Sequence, residues 1–209
     1  MSLRTLIHWS GPVAMLGGLL WIVGAVVTAL QREGCVGTDC YLPGRSMRAG
    51  TTLGAALFIA AVPLIGLGVV AVVIRAGRAG RFRRLGHIGL LGSVVGVALL
   101  LTGLLVQASL LGGDFPYMPL VVIAGGPPLV IGTLLVGIAI LRVGVLPRWS
   151  GALLILGTLA LPEVNDQNAQ VSMAIPFGIA WLGGGYALWS APGEQPVQVQ
   201  RLRWERTRR

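Results

Sequence analysis

The chain has 209 residues, of which 55% are hydrophobic and only 11% charged, against roughly 25% charged in a soluble globular domain. A chain so poor in polar side chains cannot cover itself in water, which excludes an ordinary soluble domain and makes lipid part of its solvent. The net charge of +9 comes from 16 basic residues, all arginine; they flank apolar stretches, as the positive-inside rule describes, and nucleic acid is not the expected partner.

A bilayer core of about 30 Å takes about 20 apolar residues as a helix. The pattern predicts spans over residues 11–30, 49–74, 85–111 and 119–141, none of them interrupted by a charge other than the ionisable His87. The first run, preceded by Arg4, is longer than a signal-peptide core and lacks a small-residue cleavage site, so it reads as a retained span.

The only cysteines, Cys35 and Cys40, follow that first span and frame Val36-Gly37-Thr38-Asp39. The expected reading is a disulfide that staples a loop in an oxidising exterior. A redox-active pair is the alternative, but the CxxC spacing of such sites is missing.

Residues 149–189 are too long for one span and are broken by Pro162-Glu163-Val164-Asn165-Asp166-Gln167-Asn168. That polar run belongs at an interface, which divides the region into spans over 149–161 and 171–189. The first piece is short, so a re-entrant segment is the alternative to a crossing. Residues 193–209 form a basic tail carrying Trp204 among five arginines.

The expected fold class is therefore all-α: a polytopic transmembrane helical bundle of six spans over residues 1–192. Arg4, the cluster Arg75, Arg78, Arg81, Arg83 and Arg84, then Arg142, Arg148 and the tail lie on one side. Arg32, Arg45 and Arg48 lie on the other, with Glu33, Asp39, Asp114, Glu163 and Asp166. The bias assigns both termini to the cytoplasm. With 32 glycines and no lysine, residue usage fits a GC-rich bacterium and hence a bacterial inner membrane.

The odd spans begin alike, with a glycine followed by another six positions later: Gly11 and Gly17, Gly86 and Gly92, Gly151 and Gly157. The even spans pair a proline with a following glycine: Pro63 and Gly66, Pro128 and Gly132, Pro176 and Gly178. This alternation suggests three tandem helical hairpins. Gly50 with Gly54, and Gly92 with Gly96, present small faces for close helix packing. The stretch Gly125, Gly126, Pro127 and Pro128 is the most disrupted and marks the expected cavity wall, with Gln107 as its nearest polar partner in kind.

Chemistry-bearing residues are scarce. No span holds a buried carboxylate, lysine or arginine, which argues against a proton-coupled pump. Ser10 and Ser150 have no recognisable histidine and carboxylate partners, and HExxH and P-loop patterns are absent. His8 and His87 are the residues a haem would use; interfacial polar positions are the simpler reading, so no cofactor and no metal are expected.

The expected function is a non-enzymatic accessory, assembly or regulatory subunit acting through helix contacts. Its partners would be anionic lipid headgroups, which suit arginine, and other membrane subunits. A transporter or channel for a small neutral or hydrophobic solute is the first alternative, and a redox or haem-associated component the second.

Overall fold

In hydrocarbon a backbone must satisfy its own hydrogen bonds, so long apolar runs fold as helices. The computed structural model describes residues 3–31, 33–34, 47–48, 52–78, 83–110, 117–144, 146–164 and 169–190. Among them lie six helices: α1 (Leu3–Ala29), α2 (Thr52–Arg78), α3 (Arg83–Leu110), α4 (Met118–Val143), α5 (Arg148–Leu159) and α6 (Ile175–Ser190). Two-residue strands β1 (Glu33–Gly34) and β2 (Met47–Arg48) pair antiparallel between α1 and α2, Glu33 opposite Arg48. The fold is the expected all-α bundle.

Among the described residues, five segments are long and apolar enough to cross a membrane: Trp9–Ala29, Thr52–Arg75, Arg84–Val106, Met118–Arg142 and Gln170–Ser190. α5, with 12 residues, is the short one. Its direction nonetheless follows from its neighbours. Gly137 lies against Ile155 and Gly151 against Leu141, so α5 runs antiparallel to α4. Gly157 lies against Phe177 and Gly183 against Leu153, so it also runs antiparallel to α6. At the far side of the bundle Gly11 meets Gly185 and Gly18 meets Gly178, which sets α6 antiparallel to α1. The end of α6 therefore shares a face with the start of α1. Only an even number of passages gives that result, so α5 runs from one face to the other and the re-entrant alternative falls.

Each helix packs on its neighbours in a closed ring, α1 to α2, α3, α4, α5, α6 and back to α1. The hairpins α1–α2, α3–α4 and α5–α6 are all present, yet the pairing of α6 with α1 is more extensive than that with α5. Of the three prolines expected within even spans, Pro63 sits inside α2 and Pro128, next to Pro127, inside α4. Pro176 differs. It is the second residue of α6 and follows a six-residue 3-10 segment, Ala169–Ala174. In the first turn the missing N–H has no intrahelical acceptor to lose, so proline starts this helix rather than bending it.

Where α4 ends, Gly144 takes φ 69° and its N–H caps Ile140 O at 3.0 Å. Glycine adopts this left-handed conformation without the usual Cβ penalty, and the chain turns at once into α5. After Leu159 the chain tightens into the 3-10 turn Leu161–Glu163. Pro162 and Glu163 there are exposed, as expected of an interfacial turn.

Candidate functional site

Buried side chains from several helices meet inside the ring. Val72 from α2, Val136 and Ile140 from α4, Leu154 from α5, and Trp181 and Leu188 from α6 form one buried apolar cluster. Trp181 is only 2% exposed, and small residues make its room: its ring lies against Gly68, which itself abuts Ala14. A chain of edge-to-face rings runs from there toward the face opposite the termini. Phe177 stands 6.3 Å from Trp181, Trp21 5.3 Å from Phe177, and Phe58 4.9 Å from Trp21.

The two indoles of this chain differ in one respect. Trp21 donates Nε1–H to Ala174 O at 3.1 Å, tying α1 to the 3-10 segment that leads into α6. The Nε1–H of Trp181 is buried and finds no acceptor among the described residues. Sequence reasoning missed this cluster; its available signal was Phe177 and Trp181, one helical turn apart on one face.

Intramembrane hydroxyls bond their own helices, and one pair, Ser93 of α3 and Thr133 of α4, also meets across helices with Oγ and Oγ1 3.5 Å apart. Thr28 donates to Gly24 O at 2.8 Å, Ser93 to Gly89 O at 2.9 Å, Thr133 to Leu129 O at 2.7 Å and Thr158 to Leu154 O at 2.6 Å. Ser150, 1% exposed, donates to Pro147 O at 2.8 Å at the start of α5. Such local bonds give the hydroxyl a structural role.

The glycine pairs sit where helices touch. Gly54 lies against Gly24 of α1, while Gly92 and Gly96 lie against Pro128, Gly132, Gly125 and Leu129 of α4. A Cβ added to Gly96 would come within 2.6 Å of Gly125 O. The small faces are thus consumed inside this chain. Gly50 lies outside the described residues.

The stretch expected to wall a cavity divides by helix face. Gly125 is buried against α3 and Pro128 lends its carbonyl oxygen to the contact with Gly92. Gly126 has open space where a Cβ would be, and Pro127 is exposed. α4 stays helical through all four residues. Gln107 belongs to α3, its side chain outside the described residues.

Cys35 and Cys40 lie outside the described residues, between β1 and β2 in sequence, so the strand pair joins the ends of the segment that carries them. His87 is exposed on α3, which packs on α4 and α2, whereas His8 belongs to α1, which packs on α2 and α6. Among the described residues, α1 and α3 share no extensive interface. The side chain of His8 and the acids Asp114 and Asp166 are outside the described residues, and among those described no three metal-binding side chains stand together.

Four arginines share one face, Arg75 toward the end of α2, Arg84 at the start of α3, Arg142 at the end of α4 and Arg148 at the start of α5, whereas Arg48 of β2 lies at the opposite end of the bundle. Trp9, Trp149 and Trp189 are exposed near the same face, on α1, α5 and α6. Amphipathic indoles favour the boundary between hydrocarbon and water. No protein family, curated protein or solved structure matches the chain.

Proposed function

We propose that this multi-pass membrane protein is a non-enzymatic accessory or assembly subunit, working through the outer surface of its bundle. The buried cluster carries the reading. Val72, Val136, Trp181 and Leu188 belong to one apolar cluster shared by α2, α4 and α6, and close packing of such side chains between helices disfavours a solute path there. The bonded serines and the charge-free spans agree with it, because neither offers a nucleophile or a titrating relay.

The arginine-rich face, which also carries both ends of the helical domain, belongs by charge bias on the cytoplasmic side of a bacterial inner membrane. Cys35 and Cys40 then fall outside, where a disulfide would close their short loop.

Two measurements test the proposal together. Purification from the native host in mild detergent is expected to retain a stoichiometric membrane partner, and proteoliposomes of the pure protein are expected to show no flux of small neutral solutes. Flux that a Pro128→Ala substitution changes would replace this reading with a transporter.

A further inference from the structure

The α2–α3 seam is the least extensive contact between neighbours around the ring. Its closest recorded glycine contact lies near the arginine-rich face, where the Cβ position of Gly86 approaches Val73 at 3.8 Å. Two turns further along α2, on the same line of the helix as Val73, stands Gly66. Nothing lies within 4 Å of its Cβ position. The helices that close tightly elsewhere through glycine therefore leave a groove here. By helical register Val62 stands with Gly66 on α2, and Val94 and Leu101 fall on the side of α3 that carries Gly86, all apolar.

A charged end caps this groove. Arg84 and His87, three residues apart and therefore neighbours on the α3 surface, are both exposed beside Gly86. An apolar groove within the bilayer, topped by the Arg84 guanidinium at one boundary, has the polarity of a phospholipid with an anionic headgroup. Guanidinium forks onto phosphate oxygens, and clusters of basic residues between helices at the cytoplasmic boundary select anionic lipid. We propose that the α2–α3 groove holds one anionic phospholipid of that leaflet, its phosphate at Arg84 and an acyl chain along Gly66.

The proposal rests on the bundle spanning a membrane and not on the accessory role, so loss of either leaves the other standing. The test is native mass spectrometry of the full chain in mild detergent with equal phosphatidylglycerol and phosphatidylcholine. The expected result is one retained phosphatidylglycerol. Arg84→Gln should lower its retention about fivefold, the effect of one basic charge near a lipid surface. Gly66→Leu, which fills the groove without touching charge, should abolish retention, and Val94→Phe should do the same from the opposite wall if Gly66→Leu does not fold. Arg148→Gln, at the far corner of the same face, should retain the lipid. Equal losses in Arg84→Gln and Arg148→Gln would reduce the effect to bulk charge and overturn the site. So would unchanged retention in the groove variants, or displacement of the lipid by glycerol phosphate alone.

Discussion

At Trp21 and Trp181 the same side chain meets two different ends. One indole N–H has a carbonyl at 3.1 Å, and the other is enclosed without a partner. A buried donor left unpaired costs about 1–3 kcal/mol, whereas a made bond contributes about 1 kcal/mol net. Shape-preserving replacement of N–H by sulfur, with benzothienylalanine, separates the two. At position 21 it is expected to lower stability by about 1 kcal/mol, and at position 181 to leave it unchanged or raise it. Unfolding of the purified protein by a graded denaturing detergent is the readout.

Glycines divide in the same way. A Cβ at Gly18 would come within 2.6 Å of Gly178 O, while one at Gly66 would meet nothing. Gly18→Ala is therefore expected to cost about 1–3 kcal/mol through forced separation of α1 and α6. Gly66→Ala is expected to stabilise by about 0.5–1 kcal/mol through helix propensity. The sequence pattern marks small residues four apart equally well on both kinds of face. It does not tell which face meets a helix and which meets lipid, because the choice depends on the ring order of the helices.

Among the elements, α5 was the hardest to read. Its 12 residues make about 18 Å of α-helix, which by length alone fits either a crossing or a dip. The pairings of Gly137 with Ile155 and of Gly157 with Phe177 decide it, and such contacts between separate helices have no signature in either sequence alone. Length and charge, by contrast, made α1 to α4 legible, because lipid forces apolar runs of that size into helices. A reporter fused after Ser190 is expected to be active on the side where a reporter at the amino terminus is active. Opposite sides would mean that α5 does not cross. The repeat was legible in part: Pro63 and Pro128 lie in helix interiors, but Pro176 opens α6, so proline alone does not establish equivalence between the even spans.

On the scale of the whole molecule, the six described helices close a ring around a buried apolar cluster. Residue types told of the membrane and of the lack of titrating groups within it. The cluster was not legible, since Trp181, Val72 and Val136 come from three helices far apart in sequence. The loop cysteines carry an independent expectation of sidedness. Intact mass of protein purified under alkylating conditions should show Cys35 and Cys40 unmodified until a reductant is added, and modification without reductant would place that loop in a reducing compartment.

Ring closure between α1 and α6 also constrains how the protein is made. α1 leaves the ribosome first, and its glycines Gly11 and Gly18 face a helix that lies at the other end of the chain. Until α6 has entered the bilayer, that side of α1 has only lipid or a membrane chaperone to cover it. A chain stopped before Gln170 would retain four long spans and α5 but leave the first helix unmatched. Pulse-chase labelling should find such a chain degraded faster than the full protein. Supplying residues 164–209 as a separate polypeptide should restore its lifetime, making α6 the step at which synthesis becomes assembly.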